Sequence, residues 1–239
     1  MNRTQPEANA DNSRQTRWRL WWAKVRLSVG VALGLLLAGC AQTEDPRRAA
    51  YVLMDISDNY VQELASAQAL TRFLLAELQP GDTLGALFID NSSYSDRNVI
   101  AQTTFDARPS LATQQKRQFY GEVDDFVSGI QVPSAHNDIT GGILLATERL
   151  ADVEAGQRVL YVFSDMAEDR PPWLDRDFPI ALDGIEVVAM NVTKLRSDNQ
   201  SPRAYRERLA NWQSWVEESG GSWRVVNDLQ QLERHLALR

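Results

Sequence analysis

One cysteine and two histidines are all that these 239 residues contain, and each shortage removes a class of chemistry. A single thiol cannot close an internal disulfide, so stability has to come from an ordinary core. Two imidazoles are too few for a histidine-built zinc or copper site. The chain has no Gly-x-Ser-x-Gly turn, no phosphate-binding glycine loop and no Cys/His pair, which argues against serine, nucleotide and thiol chemistry. Its apolar run from Leu27 to Ala38 falls short of the about 20 residues that span a hydrocarbon core. Positive charge is scarce beyond residue 40. Six of the 25 basic and two of the 32 acidic residues precede it, leaving 19 against 30, a net of −11. Such a domain repels nucleic acid and anionic lipid headgroups, so neither is an expected ligand. No internal repeat or low-complexity segment interrupts this part.

What is present begins with an address. Arg17, Arg19, Lys24 and Arg26 precede the apolar run, and small residues follow it, the order of a secretory signal peptide. Leu37-Ala38-Gly39-Cys40 resembles the lipobox of bacterial lipoproteins. That resemblance implies lipidation of Cys40, which would become the first residue of the mature chain. Ala41 after it resembles the pattern sorted to the outer membrane, on its periplasmic face. The expected organisation is therefore a signal peptide over 1–39, a lipidated N-terminus and tether over 40–48, and one domain over 49–239. A second reading keeps the apolar run as a signal anchor, with Trp18, Trp21 and Trp22 at the membrane interface.

Within the domain, Ala50–Ile56 is an apolar run of strand length, and Val61–Leu78 repeats apolar residues at helical spacing until Pro80-Gly81 stops it. Thr83–Ile89 and Val99–Phe105 read as an antiparallel pair across a polar turn. Ala112–Val127 is a helix, and another follows Asn137-Asp138-Ile139-Thr140-Gly141-Gly142 to about Ala151. Arg158–Phe163, Glu186–Val192 and Trp223–Val226 read as strands, Pro202–Glu218 and Asp228–Leu238 as helices. Alternation of buried strands with helices predicts an α/β fold: a doubly wound, mostly parallel six-stranded sheet, helices on both faces, one antiparallel edge strand. Trp212, Trp215 and Trp223 read as core, His235 as structural, and Arg203, Arg206 and Arg208 as a solvated helix face.

In such sheets ligands gather at the carboxyl ends of the strands. Three polar loops fall there: Asp55-x-Ser57, the loop at Asn137–Thr140, and Ser164-Asp165. Hard oxygen ligands of this kind suit Mg²⁺ or Ca²⁺. At these residues, and in its order of elements, the chain resembles the von Willebrand factor type A family. That family's metal-ion-dependent adhesion site uses Asp-x-Ser-x-Ser, a threonine from a second loop and an aspartate from a third. Asp55, Ser57 and Asp165 match, Asn59 stands at the second serine, and Asn137 at the threonine. Thr140 is a substitute ligand if the register differs. The resemblance implies Mg²⁺ or another divalent cation, completed by an acidic group of a protein partner, with Trp173 beside it as an apolar contact. The alternative is a degenerate site, in which Asp55 and Asp165 accept backbone N–H groups from neighbouring loops and Ser57 caps the first helix.

Function follows as an expectation in the same order: a tethered protein-interaction module, then a scaffold without metal. A phosphatase-like hydrolase comes last. Haloacid-dehalogenase-like phosphatases place a nucleophilic aspartate where Asp55 lies, but want a second aspartate where this chain has Ser57. They also want a lysine near the third motif, and none follows Thr140 closely. No catalytic residue is assigned.

Overall fold

A computed structural model describes residues 47–58, 60–176, 179–190, 192 and 202–227, all within one compact unit, Asp45–Arg239. Cys40, Asn59, His235 and the expected final helix lie outside the described residues. Six strands form one sheet: β1 (Arg48–Asp55), β2 (Thr83–Ile89), β3 (Val99–Thr104), β4 (Gln157–Phe163), β5 (Ile185–Met190) and β6 (Ser222–Val226). Their order is β3-β2-β1-β4-β5-β6. Only β3 runs antiparallel, against β2, with a register shift at Ala86/Leu87; the other neighbours pair in parallel. The expected fold class is therefore met, edge strand included.

The helices are α1 (Leu64–Glu77), entered through a 3₁₀ turn at Val61–Glu63, α2 (Pro109–Gly129), α3 (Ile139–Ala151) and α4 (Pro202–Glu218). Helix α2 starts three residues before the expected Ala112, because Pro109 takes a first-turn position where its missing N–H costs nothing. Among the described residues, no helix is long and apolar enough to cross a membrane.

Strand alternation sends β1 into two cores. Ala50, Val52 and Met54 pack with α1 and α2 residues such as Leu70, Leu74 and Phe119. Ala49, Tyr51 and Leu53 face Ile139, Ile143 and Ala146 of α3 on the other side. A strand apolar on both faces has to lie in the middle of a covered sheet, and β1 does. Trp212, Trp215 and Trp223 are half-buried against the second core, not inside it. Arg208 departs from a solvated face as well, being half-buried with its guanidinium over the Tyr205 ring.

Tyr51 is fully buried and its hydroxyl meets no hydrogen-bond partner among the described residues. Burial pushes the phenol well above its usual pKa of 10.0. The folded state therefore holds this proton more tightly than the unfolded chain. Below pH 10 that advantage is fully present, and it is lost as pH rises further. Tyr51→Phe removes an unsatisfied hydroxyl, so about 1 kcal/mol of added stability is expected at neutral pH, together with a flatter decline above pH 10. Urea titrations at pH 7 and pH 10.5 measure both; a less stable Phe variant would show that the hydroxyl is bonded after all.

Candidate functional site

Strand order reverses between β1 and β4, and the crevice of a doubly wound sheet opens where that happens, beyond the carboxyl ends. Asp55 is the last residue of β1, and Ser164-Asp165 follow β4 directly. The α2–α3 loop closes the third side, tied to the first by a parallel bridge between Ser57 and Ser134.

Asp55 is buried and its carboxylate is the hub. Oδ1 accepts the Ser57 N–H at 2.9 Å. Oδ2 accepts the Ser164 hydroxyl at 2.7 Å and the Asn137 side-chain N–H at 3.1 Å. Asn137 also donates to the Ala167 carbonyl at 3.1 Å, while its Oδ1 accepts the Asp169 N–H at 2.5 Å. Asp165 is buried beside them, and its Oδ1 accepts the Ala167 N–H at 2.8 Å. Next in the loop, Met166 is buried with φ 59°, a left-handed conformation that costs a side-chain-bearing residue roughly 1–2 kcal/mol. Its carbonyl accepts the Trp212 indole N–H at 2.8 Å, which holds the strained turn against α4.

The expected ligands thus divide. Asp55, Ser57 and Asn137 meet, with Asp165 in the adjoining turn. Thr140 is drawn elsewhere: its N–H and hydroxyl both donate to Glu168, at 2.7 and 3.0 Å. Neither carboxylate nor amide is arranged as an open oxygen shell, since Asn137 turns its nitrogen to Asp55. The arrangement does not fit a cation held between these residues. Asp55 and Asp165 accept backbone N–H groups, but from Ser57 and Ala167 of their own loops and not from neighbouring loops as the degenerate site was expected to. Ser57 caps nothing with its side chain. Its backbone carbonyl receives the Tyr60 and Val61 N–H groups, and its buried Oγ has no hydrogen-bond partner among the described residues.

A second polar cluster escaped the sequence reading. Asp138 is the N-cap of α3, with Oδ1 accepting the Gly141 N–H at 2.9 Å. Its Oδ2 accepts the Ser93 N–H at 2.8 Å. Arg176 closes on the same carboxylate with Nε at 3.1 Å from both oxygens and Nη2 at 2.6 Å from Oδ2. The pair is largely withdrawn from water, the Arg176 side chain being 8% and that of Asp138 0% exposed. It joins the β2–β3, α2–α3 and β4–β5 loops. The N-cap type was visible in the sequence; the distant arginine carried no local signal. Ser164 was visible too, as the residue that follows β4.

Around this closed floor the rim is apolar. Trp173 is 71%, Val132 80% and Tyr94 39% exposed, the large hydrophobic side chains left uncovered among the described residues. His136 is a surface loop residue whose Nδ1 lies 3.0 Å from an Asp169 carboxylate oxygen. Tyr94 donates its hydroxyl to Glu148, a bond that raises the phenol's pKa. Arg176 sits over its ring at 5.8 Å. Toward α4 the rim drops into a shallow groove of about 630 Å³ lined by Thr140, Met166, Glu168, Arg208, Trp212 and Trp215.

No protein-family model matches the chain, and no curated protein does. Among solved structures it is similar to an aerotolerance-related membrane protein from Bacteroides fragilis, at 15% identity and TM-score 0.46, covering 80% of this chain and 97% of that one. It is also similar to proximal thread matrix protein 1 from the mussel byssus, at 12% identity and TM-score 0.43, covering 81% of this chain and 47% of that one.

Proposed function

We propose that this chain is a protein-interaction domain of the von Willebrand factor A type, moored to the bacterial envelope by lipid on Cys40. Its protein partner docks on the loops at the carboxyl end of the sheet. One observation carries the reading. Tyr94, Val132 and Trp173 lie on three different loops, β2–β3, α2–α3 and β4–β5, and all three loops rise at the end of the sheet where Asp55 sits. Exposed aromatic and aliphatic side chains gathered at one pole are what a partner buries. Strand β1 begins at Arg48, at the end of the sheet away from the rim, eight residues of strand before Asp55 closes it.

The chemistry of the floor favours a binding module over a hydrolase. Both Asp55 oxygens already accept hydrogen bonds, and Ser57 stands where a phosphatase of that architecture wants its acid.

Photo-crosslinking in the envelope tests the surface. A photoreactive residue at position 173 or 132 is expected to give a discrete protein adduct, and one at Glu154, exposed beyond α3, none. With the partner in hand, Trp173→Ala should weaken binding by roughly 30-fold or more, the usual consequence of truncating an aromatic anchor. Equal adducts from position 154, or none from either rim position, would overturn the docking surface. Cys40→Ser is expected to move the protein out of the membrane fraction. Retention there would favour the signal anchor instead.

A further inference from the structure

We propose that the side-chain amide of Asn137 takes the place of a divalent cation in this crevice, bridging Asp55 to the Ala167–Asp169 turn, so that the site is complete without metal. The inference concerns the crevice floor alone and stands whether or not the partner surface is the one described above.

The orientation of the amide decides the matter. Its two ends meet groups of opposite kind: an N–H from Asp169, which needs an acceptor, and a carbonyl from Ala167, which needs a donor. Only one arrangement satisfies both, with oxygen toward Asp169 and nitrogen toward Ala167. Turned over, the amide would set its oxygen against the Ala167 carbonyl and the Asp55 carboxylate, and its NH₂ against a backbone N–H. The nitrogen therefore faces Asp55 Oδ2 at 3.1 Å, and both of its protons are spent. Backbone pairing fixes the frame as well: Asn137 and Asp169 form an antiparallel bridge, with the Asn137 N–H donating to the Asp169 carbonyl at 3.0 Å.

A cation would have to find lone pairs where this amide presents protons. It would also compete for a carboxylate that already accepts from Ser57, Ser164 and Asn137. A carboxylate has about four acceptor sites, so three donors leave Asp55 nearly saturated. The neighbouring hydroxyl, on Thr140, is clasped by Glu168. Among the described residues that leaves Ser57 Oγ, buried and without a hydrogen-bond partner, and the Asp165 carboxylate, whose Oδ1 accepts the Ala167 N–H. One hydroxyl and one part-used carboxylate beside a nearly saturated Asp55 are few for an ion that gathers six or more oxygens.

Three consequences distinguish this arrangement from a metal site. A cation bound with a dissociation constant a hundredfold below its concentration adds about 2.7 kcal/mol, or roughly 5–10 °C in a domain of this size. The wild-type full chain should instead melt at the same temperature in chelator and in millimolar Mg²⁺, Mn²⁺ or Ca²⁺. Asn137→Asp should do the reverse. Replacing the amide nitrogen by oxygen sets two carboxylates and a carbonyl against one another in a buried site, so melting should fall by about 10 °C in chelator. Millimolar Mg²⁺, Mn²⁺ or Ca²⁺ should restore much of the loss. Ser57→Ala should melt no lower than wild type.

A wild-type melting point that rises by several degrees with any of these cations would overturn the proposal. So would an Asn137→Asp variant that matches wild type in chelator, or a Ser57→Ala variant that loses stability. Should Asn137→Asp fail to fold, the wild-type chain still answers. Its Asn137 side-chain amide protons are expected to exchange slowly in ¹⁵N-edited spectra and to keep their shifts in millimolar Mg²⁺, and fast exchange or a cation-dependent shift would count against the bridge.

Discussion

Asp138→Ala is expected to lower the free energy of unfolding by about 3–5 kcal/mol, a fall of roughly 6–20 °C in melting temperature. The loss has three parts. The Arg176 guanidinium, 8% exposed, is left buried without its counter-charge, and this is the largest part. Helix α3 loses its N-cap bond to Gly141, worth about 1 kcal/mol. The Ser93 N–H loses its acceptor in a buried turn. Gly141 leaves no slack for repair: a Cβ there would lie 2.2 Å from Asp138 Oδ2, so the carboxylate and the helix start are fitted to each other. Arg176→Met in the same background should recover much of the loss, because a buried ion pair exchanged for apolar groups is often neutral. Chemical denaturation of the two single variants and the double variant gives the coupling directly. An Asp138→Ala loss below about 1 kcal/mol, the value of an exposed pair, would mean that water reaches Arg176.

That pair also marks where the sequence stopped being readable. Periodicity, Pro80-Gly81 and the apolar runs placed every described strand and helix to within four residues at their starts and two at their ends, because those signals are local. The carboxyl-end crevice was legible as well, since it follows from strand order, and Asp55, Ser57 and Asn137 do meet there, with Asp165 in the adjoining turn. Partnership was not legible. Arg176 lies 38 residues from Asp138, and nothing in its neighbourhood distinguishes it from Arg170, which pairs with Glu168 at the surface. The same limit applied to Asn137. An asparagine in the threonine position can present oxygen or nitrogen, and the choice is made by Asp169 and Ala167, contacts of a different loop. Thr140 went the same way: on the first turn of α3, its hydroxyl follows the Glu168 carboxylate rather than Asp55. The exposure of Trp173, 71%, is likewise a property of the loop's path, which composition does not show.

Gly85→Val is expected to be at least as damaging, costing about 3 kcal/mol or more and leaving little folded protein. By propensity alone the sign would be the opposite. Glycine in a strand interior costs about 0.5–1 kcal/mol, and valine is a good strand former. The Tyr51 ring reverses it. Gly85 is the register partner of Tyr51 across the β1–β2 pair, and the ring lies over it, so a Cβ at position 85 would meet Cδ1 and Cε1 at 2.4 Å and Cζ at 2.8 Å. The ring cannot swing out, being fully buried in the core beneath α3 with Leu53, Ile139 and Ile143. Helix α3 cannot lift to make room either. It rests on the sheet through Gly142, where an added Cβ would already press on Leu53 and Ile89 at 3.0–3.1 Å. Displacing α3 would carry Asn137 and Asp138 away from Asp55 and Arg176, so damage in the core should reach the rim. Tyr51→Leu in the Gly85→Val background returns volume to the contact and should recover part of the loss, whereas the same substitution alone should destabilise by opening a cavity. Urea unfolding of the two single variants and the double variant measures this exchange. A Gly85→Val protein as stable as wild type would show that the ring has space to move, and the tight seat of α3 would then have to come from Gly142 alone.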